Sequence, residues 1–258
     1  MSQELIFDRN LLIKRRSSKV GSIHKSDFLI KRSLETIIES LNAMTNKFPN
    51  ILNLGCRKSY GTDYLKNRAG TRSVIETDIS FEFLRDSSHL NRIICDEESL
   101  PFASNQFDLI VSVLNFHNIN DLPGTLIQLQ RMLKPKGVLV ASMFGELNLD
   151  NIAQMLIKAE LSASGGISPR IFPSVQIKQM GSLLQRAGFS MPVVDKDTVN
   201  VQYSNPMKLL HDLQNMGESN ILINRNKKYP GKRIWSNFVN EGKIIAKFEL
   251  LNIMASKD

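Results

Sequence analysis

The sequence has few cysteines and no long apolar run. Its 258 residues include two cysteines, Cys56 and Cys95, and one tryptophan. Two cysteines cannot build a disulfide framework, and this scarcity is typical of proteins from a reducing compartment. No apolar stretch approaches the roughly 20 residues of a transmembrane helix, and the first residues form no apolar signal core. We therefore expect a cytoplasmic protein without a transmembrane segment.

Negative charge is also in deficit. Lysine and arginine number 33 against 25 aspartates and glutamates, which gives a formal net charge of +8 and a pI of about 9.5. This excess is typical either of a protein that binds an acidic partner or of one with a solvated basic face. No known nucleic-acid-binding module accompanies the charge, so nucleic acid is not an expected partner. His24 and His211 lack a ligand pattern, and no metal site is expected.

Between residues 49 and 145, short apolar runs alternate with segments of helical periodicity. Strands are predicted at Ile51–Leu54, Arg72–Asp78, Arg92–Asp96, Phe107–Leu114 and Val138–Met143, and helices at Tyr60–Asn67 and Leu122–Leu133. This alternation predicts a doubly wound parallel sheet, an α/β fold. Ser59, Ser80 and Asp121 are predicted to cap helices, and Lys134–Gly137 is predicted to form a turn.

Two helices are predicted before this segment and mixed elements after it. They are a basic helix within Phe7–Lys19, a helix from the Ser26 cap to about Thr45, helices at Leu147–Ser162, Val175–Ala187 and Pro206–Met216, and strands at Val193–Tyr203 and Lys243–Met254. The stretch Asn224–Arg233 is polar and basic. Because no repeat or linker is evident, we expect one domain, 1–258. It comprises N-terminal helices in 1–48, a cofactor-binding half in 49–145 and a substrate-side half in 146–258.

Polar side chains follow three predicted strands at one edge of the sheet. Asn53, Asp78 and Asp96 come at the carboxyl ends of the first, second and third strands, where open α/β sheets bind their ligands. Gly55 lets the backbone approach a ligand, and the helix that follows offers free N–H groups. We expect Asp78 to accept hydrogen bonds from a ribose diol and Asp96 to accept one from an adenine amino group. Asn53 and Gly55 would face the amino-acid end of the cofactor.

Several strings resemble the class I S-adenosylmethionine-dependent methyltransferases. They are Leu-Asn-Leu-Gly-Cys at residues 52–56, Thr-Asp-Ile-Ser at 77–80, the run from Asp96 through Leu-Pro-Phe to Phe-Asp-Leu-Ile-Val-Ser at 107–112, and Leu-Lys-Pro-Lys-Gly-Val-Leu at 133–139. The resemblance implies a Rossmann-like, seven-stranded, mostly parallel sheet with helices on both faces, extra N-terminal helices and a C-terminal helical insertion. It implies S-adenosylmethionine as cofactor, bound by Asn53, Gly55, Arg57, Asp78, Ile79, Asp96, Glu97 and Asn115.

A narrower resemblance covers nearly the whole chain. Phe7-Asp-Arg, Asn120-Asp-Leu-Pro, Met143-Phe-Gly, Gly165-Gly-Ile-Ser-Pro, Leu184-Gln-Arg-Ala-Gly-Phe and the string Asp212–Asn220 look like the bacterial relatives of mitochondrial complex I assembly factor 5. That group is itself similar to the malonyl-carrier-protein methyltransferase of biotin synthesis. The resemblance implies a protein or carrier-bound substrate, with a complex I subunit and hydroxylation of one of its arginines as the expected case.

The first turn departs from the family pattern. That pattern is Asp-x-Gly-x-Gly-x-Gly, whereas this chain has Asn53, Gly55, Arg57 and Ser59 at the four specified positions. Three alternatives remain open for Arg57. Its side chain either enters the pocket and displaces the methionine end of the cofactor, turns outward, or pairs with a cofactor carboxylate. Cofactor binding is accordingly retained, weakened or lost.

Three further residues are candidates for catalysis or substrate contact. His117, just after the fourth predicted strand, is either a general base near the transferred group or a loop histidine. Glu218 and Asn220 either contact substrate or form the turn that ends a helix around Gly217. Cys56 and Cys95 are expected to pack as small apolar residues.

Three functions compete at this point. The first is an S-adenosylmethionine-utilising enzyme that modifies a protein or carrier-bound substrate. The second is a non-catalytic assembly or binding protein that keeps the fold and has lost cofactor affinity. The third is an RNA methyltransferase, suggested by the basic segments Lys14–Lys19 and Arg225–Arg233. The third lacks the Asn-Pro-Pro-aromatic motif of base-amine methylators, since this chain has Asn-Phe-His-Asn at residues 115–118.

Overall fold

The structure is a computed structural model that describes residues 5–170, 172–227, 231–239 and 242–258. Residues 1–4 of the N-terminal segment, and residues 228–230 of the basic stretch Asn224–Arg233, lie outside these ranges. The chain forms two compact units. The core unit comprises Asp27–Gly145, Val175–Asp197 and Leu250–Asp258, and the flanking unit comprises Met1–Ser26, Glu146–Ser174 and Thr198–Glu249.

The strands form one sheet. They are β1 Asn50–Leu54, β2 Ser73–Asp78, β3 Arg92–Ile94, β4 Phe107–Ser112, β5 Leu133–Phe144, β6 Ser190–Tyr203 and β7 Ile244–Ser256. Their order is β3-β2-β1-β4-β5-β7-β6. Strands β1 to β5 pair in parallel, and β7 pairs antiparallel to β5. The predicted seven-stranded, mostly parallel sheet is confirmed.

The helices follow the predicted alternation. They are α1 Arg9–Ser17, α2 Phe28–Asn42, α3 Thr62–Asn67, α4 Phe81–Arg85, α5 Leu122–Met132, α6 Asp150–Ser164, α7 Ile177–Arg186, α8 Pro206–Met216 and α9 Lys232–Val239, with short 3-10 turns at Ile23–Lys25 and Phe116–Asn118. Within the described ranges, no helix combines the length and apolar character needed to cross a bilayer.

The order of the strands reverses beside β1. The chain proceeds outward from β1 to β2 and β3, then returns to place β4 on the other side of β1. Such a reversal leaves a crevice outside the carboxyl ends of β1 and β4, which is where ligands of this architecture bind. A ligand site is therefore expected among the residues just after these two strands.

The core unit is built on the apolar faces of the central strands. Leu109, Ile110 and Val111 of β4 are all buried although they are consecutive, because helices cover both faces of the sheet. Leu126 and Leu129 of α5 and Leu184 of α7 form one apolar cluster with Ile110. Consecutive apolar residues in β4 thus indicate that this strand is covered on both faces of the sheet.

Two predicted helix caps are confirmed and two are wrong. Ser80 accepts a hydrogen bond from the Phe83 N–H, and Asp121 accepts one from the Gly124 N–H. Ser26 does not cap α2, whose cap position is Asp27, because the Ser26 hydroxyl donates to Asp212 Oδ1 at 2.7 Å. Ser59 does not cap α3, since that helix begins only after Gly61, at φ +82°.

Two other predictions need correction. The predicted turn Lys134–Gly137 lies inside β5, where pairing with β4 passes from Leu133 directly to Val138 and the intervening residues bulge. Helix α9 has no counterpart in the prediction, which described Asn224–Arg233 as polar and basic and assigned no element to the residues that follow. Its single buried side chain among the described positions of the helix is Phe238, and this sparse apolar pattern concealed it.

The flanking unit has its own small core. Phe7, Leu12, Ile221 and Leu222 cluster there. The ring of Phe7 meets that of Phe172 edge-on, with centroids 5.5 Å apart. Helix α8 begins at Pro206 and ends at Met216 as predicted.

Candidate cofactor site

The turn after β1 has positive φ angles, which favour glycine, at three alternate positions. Gly55, Arg57 and Ser59 have φ values of +65°, +52° and +57°. These are the three positions that hold glycine in the family pattern, yet two of them carry side chains here. A non-glycine residue in the left-handed region is strained by about 1–2 kcal/mol. The surrounding fold therefore imposes the shape of this turn even where the residue type does not favour it.

Asp78 anchors this turn to the end of β2. Its Oδ2 accepts the Arg57 backbone N–H and its Oδ1 accepts the Ser80 N–H, both at 2.8 Å. The side chain is buried, with 1% of its surface exposed. These two backbone bonds fix the orientation of both carboxylate oxygens. Asp78 is thus a pre-oriented acceptor at the point where a ribose is expected.

The Arg57 side chain crosses the crevice at the strand reversal. It is 2% exposed, and its Nη2 donates to the Leu114 carbonyl at 2.8 Å. Leu114 follows β4 and itself has φ +47°. The guanidinium therefore joins the turn after β1 to the loop after β4. The Arg57 side chain is therefore not turned outward, and displacement of the cofactor or pairing with its carboxylate stays a prediction.

Asn115 crosses the same region from the opposite side. A Cβ atom added to Gly55 would lie 2.3 Å from Asn115 Nδ2. The same Nδ2 donates to Glu97 Oε1 at 2.8 Å, and both residues are buried. The loops after β3 and β4 and the Gly55 turn are thereby brought together. Glycine is required at position 55 because the Asn115 amide occupies the space of a side chain.

Asn53 faces a buried polar network. Its Nδ2 donates to the Tyr60 carbonyl at 3.0 Å and to Thr62 Oγ1 at 2.9 Å. Thr62 in turn donates to Glu76 Oε1 at 2.5 Å, and Ser87 donates to Glu76 Oε2 at 2.5 Å. Asn53 Oδ1 is buried and accepts no hydrogen bond within the described part of the chain. The sequence analysis did not identify Glu76. A glutamate inside a buried strand indicates that hydrogen-bond donors lie beside it, as the Thr62 and Ser87 hydroxyls do here.

Asp96 and Ile79 complete the predicted set on the β2–β3 side. Asp96 is half-buried, and its Oδ1 accepts the Glu98 N–H at 2.9 Å. Ile79 is buried directly after Asp78. The core unit therefore contains all eight predicted cofactor residues. Among them, recorded hydrogen bonds link Arg57 to Asp78 and Asn115 to Glu97.

His117 is buried, unlike a histidine in a solvent-exposed loop. It is 5% exposed, its Nε2 lies 3.1 Å from Asn118 Nδ2, and its ring centroid lies 4.6 Å from that of Phe144. Burial restricts its access to a large substrate. Its role as a general base stays a prediction.

Both thiols are held in their neutral form. Burial raises the pKa of Cys56 well above its ordinary value, and the charges of Asp78 and Glu76 add to the effect. Burial, assisted by the charge of Glu97, raises the pKa of Cys95 to about 12. Because the thiolate is the nucleophile, neither cysteine is activated for covalent chemistry. No group of three His, Cys, Asp or Glu side chains in the described ranges is placed to hold a metal ion.

Glu218 and Asn220 belong to the flanking unit, where they shape the segment after α8. The Glu218 N–H donates to the Leu213 carbonyl at 2.8 Å, beside Gly217 at φ +80°. The Asn220 side chain donates to the Pro169 carbonyl at 2.8 Å and accepts the Leu222 N–H at 3.0 Å. Its backbone carbonyl accepts from Arg15. These bonds give Asn220 a structural role in this segment, and substrate contact by either residue stays a prediction.

The fold resembles solved methyltransferase structures. The YcgJ protein of Bacillus subtilis superposes with a TM-score of 0.61 and 14% identity, over 88% of this chain and 98% of that protein. Phosphoethanolamine N-methyltransferase 2 of Haemonchus contortus, solved with phosphomonomethylethanolamine and S-adenosylhomocysteine, gives a TM-score of 0.60 and 15% identity over 96% of this chain and 60% of that protein. At these identities the likeness shows the fold alone.

Curated relatives match at higher identity. The human protein named arginine-hydroxylase NDUFAF5, mitochondrial, is 38% identical over 226 residues, which are 85% of this chain but 65% of the human protein. The zebrafish protein of the same name is 33% identical over 266 residues, covering 98% of this chain and 83% of that protein. Malonyl-[acyl-carrier protein] O-methyltransferase of Gallionella capsiferriformans is 24% identical over 96% of this chain and 90% of that protein.

A family model described as a methyltransferase domain matches residues 52–141, the stretch from β1 into β5. This stretch contains every predicted cofactor residue described above. The zebrafish match extends the likeness to nearly the full chain. The chain belongs to the family of methyltransferase-fold proteins that includes the arginine-hydroxylase NDUFAF5.

Proposed function

We propose that the chain is an S-adenosylmethionine-binding enzyme that modifies an arginine side chain of a protein. The observation that carries this proposal is the pre-oriented Asp78 carboxylate, held at the end of β2 by the backbone of a turn with glycine-type conformation at residues 55, 57 and 59. The name of the mammalian and fish relatives supports arginine as the target. A respiratory complex I subunit is the substrate expected from the family resemblance.

The residues present fit the adenosine end of the cofactor. The Asp78 carboxylate, oriented by two backbone hydrogen bonds, supports recognition of the ribose hydroxyls, and half-buried Asp96 lies just after the neighbouring strand. Asn53 Oδ1 is a buried acceptor to which no group among the described residues donates, which suits the ammonium group of the amino-acid end. Entry of the amino-acid end requires the Arg57 guanidinium, which is buried and bonded to the Leu114 carbonyl, to move.

The chemistry divides between the cofactor and the protein. When bound, S-adenosylmethionine supplies an activated sulfonium carbon. The chain supplies the Asp78 carboxylate in an orientation fixed by two backbone hydrogen bonds, so its contribution is positioning. Hydroxylation of arginine would further require an oxygen donor and a reductant from outside the chain.

Calorimetric titration with S-adenosylmethionine and S-adenosylhomocysteine tests cofactor binding. We expect saturable binding to the native chain and a loss of about 10- to 100-fold in affinity for Asp78→Asn, since hydrogen bonds to a charged acceptor contribute about 1.5–3 kcal/mol. Asp195→Asn, which changes an exposed aspartate of β6, serves as the control for net charge. No heat and no thermal shift at millimolar ligand would contradict the proposal.

The reaction itself is tested by mass spectrometry of a candidate arginine-containing substrate after aerobic incubation with the chain, the cofactor and an added reductant. Gain of one oxygen supports hydroxylation, and gain of one methyl group identifies methyl transfer instead. An unmodified substrate, with cofactor binding intact, would count against catalysis on that substrate.

A second function is favoured by one observation. The buried Arg57 side chain lies across the carboxyl ends of β1 and β4, where it bonds to the Leu114 carbonyl. If it remained there in solution, the chain would be a non-catalytic binding or assembly protein with the methyltransferase fold. The same titration separates the two functions, because this alternative requires that the cofactor does not bind.

A further inference from the structure

We propose that Arg15 and Arg225 form a binding site for the carboxylates of an acidic segment in the protein partner of this chain. This arginine pair belongs to the basic segments Lys14–Lys19 and Arg225–Arg233, which the proposed function leaves unused. The inference deepens the proposed function, because it names a feature of the protein substrate. It rests on that function only in taking the partner to be a protein.

The flanking unit brings the two arginines onto one short stretch of chain. Arg15 Nη1 donates to the Asn220 carbonyl, from which it is separated by 205 positions in the sequence. Arg225 Nη1 donates to the Leu222 carbonyl at 2.8 Å. The two guanidinium groups are therefore held at carbonyls that are close together in the chain, although the basic segments that supply them are far apart.

Positive charge exceeds negative charge at the arginine pair. Asp8 Oδ2 lies 3.5 Å from Arg225 Nη1, which is longer than the roughly 2.7–2.9 Å of a charge-assisted hydrogen bond, and Asp8 Oδ1 accepts the Leu11 N–H. Burial lowers the pKa of Arg15, the charge of Arg225 lowers it further, and the opposing charge of Asp8 has a smaller effect. Asp8 thus offsets the two cations only in part, and both would attract a further carboxylate.

The side chains of the pair suit a carboxylate that arrives from solvent. Arg15 is half-buried and the Arg225 side chain is 16% exposed, so solvent reaches the site but screens it less than an open surface. A guanidinium has five N–H donors in a planar fork that matches a carboxylate bidentately. The recorded bonds to carbonyls use one nitrogen of each arginine.

The surroundings favour carboxylates over nucleic acid. Sites for single-stranded nucleic acids combine positive charge with aromatic rings on which bases stack. Phe7, the aromatic residue next to Asp8, is buried and meets the ring of Phe172 edge-on, so it offers no such platform. Asp8 itself, a carboxylate beside Arg225, shows the chemistry that the pair accepts.

Fluorescence anisotropy with a labelled oligoglutamate peptide tests the arginine pair. We expect saturable binding to the native chain that weakens as the salt concentration rises. Arg15→Gln combined with Arg225→Gln should lower the affinity about 10-fold, the loss expected of two partly exposed ion pairs. Lys136→Gln combined with Lys178→Gln removes the same charge from two exposed positions of the core unit and should leave the affinity nearly unchanged.

A second variant covers the case in which the glutamine variant does not fold, which circular dichroism reveals. Arg15→Lys combined with Arg225→Lys keeps both charges and a donor for each carbonyl. A carbodiimide joins a glutamate carboxyl group to a lysine amine as an amide, while the reagent becomes a urea; arginine does not react in this way. We expect mass spectrometry to find oligoglutamate cross-linked at positions 15 and 225. Cross-links at lysines of the core unit, with none at either position, would overturn the inference.

The outcomes separate this inference from the proposed function. Equal affinity of the glutamine variant and the core-unit control for oligoglutamate would overturn the inference. Tighter binding of an oligouridylate of equal length, lost in the same variant, would overturn it in favour of a nucleic-acid site. Both results leave cofactor binding in place, since calorimetric titration with S-adenosylmethionine measures it separately. Absence of cofactor binding would contradict the proposed function, whereas the oligoglutamate measurement would still decide the role of the arginine pair.

Discussion

At the scale of single residues, Asn53 shows how a change in a motif is compensated nearby. The family pattern has an aspartate at this position. Here Thr62 gives its one hydroxyl proton to Glu76, so its oxygen can only accept from Asn53. An amide can donate that hydrogen bond, whereas a carboxylate cannot. The buried carboxylate in this network is that of Glu76 on β2, and no carboxylate remains at position 53 on β1. The Asn53 amide can donate to the Thr62 hydroxyl, which donates to Glu76.

Restoring the aspartate should therefore destabilise the protein. In Asn53→Asp, the new carboxylate would face the Tyr60 carbonyl and the Thr62 oxygen without a proton to donate. We expect the free energy of unfolding to fall by about 2 kcal/mol or more, the cost of an unsatisfied buried polar group near a like charge. Urea denaturation measures it. Glu76→Gln in the same background should recover part of the loss, and unchanged stability of Asn53→Asp would contradict the network.

The cysteines give a prediction for alkaline pH. The native pKa of Cys95 is raised from near 9 to about 12 by burial and by the charge of Glu97. Between these two values the unfolded thiol ionises while the native one stays protonated, so the unfolded state binds fewer protons. Stability must then fall as pH rises above 9, by up to about 1.4 kcal/mol per pH unit for one thiol.

Denaturation curves of the native chain and of Cys95→Ala at pH 9 and above test this sign. The variant should show a shallower loss of stability with pH. A slope that is the same in both proteins would show that Cys95 does not titrate differently in the two states.

At the scale of elements, the turn after β1 is a rigid unit whose backbone is set by its neighbours. Four of the seven residues between β1 and α3 have positive φ, and two of these four are not glycine. Asp78 of β2 holds the Arg57 N–H, and Asn115 packs against Gly55. A turn of this kind cannot be read from residue preferences alone, since arginine and serine do not favour positive φ. The contacts from β2 and β4 therefore determine its shape.

Gly55→Ala tests this dependence. The added Cβ would lie 2.3 Å from Asn115 Nδ2 at a φ of +65°. We expect a loss of about 1–3 kcal/mol in the free energy of unfolding, the range for overpacking a tight site. Asn115→Ala combined with Gly55→Ala should recover the steric part but leave the backbone strain. Independent, additive effects in the double-mutant cycle would show that the two residues do not touch.

At the scale of the whole molecule, the last strand completes the sheet of the core unit. Residues Leu250–Ser256 of β7 pair along β5 from Phe144 to Val138. Leu251, Ile253 and Ala255 are buried in the main cluster. The carboxyl-terminal segment is thus an integral part of the core, although it is far in sequence from the β1–β5 segment.

Truncation after Glu249 should unfold the core unit. It removes one full ladder of backbone bonds from β5 and exposes the apolar face that Leu251 and Ile253 cover. We expect an insoluble product or one without near-UV circular dichroism. Removal of Asp258 alone, which is exposed, is the matched control and should leave the melting temperature unchanged. A folded product that ends at Glu249 would show that β7 is dispensable.

The sequence by itself determined the order of strands and helices, the central β4 strand, the caps at Ser80 and Asp121, and the position of Asp78 at a strand end. These features depend on periodicity, apolar runs and residues three or four apart, so they are local. The structure alone decided the partner of Ser26, the bulge in β5, the inward course of Arg57 and the close approach of Asn115 to Gly55. Each depends on residues that are far apart in the chain. Arg57 and Leu114, for example, are separated by 57 positions. The direction of a side chain is set by the partner that the fold brings to it, and a sequence read along its length does not contain that partner.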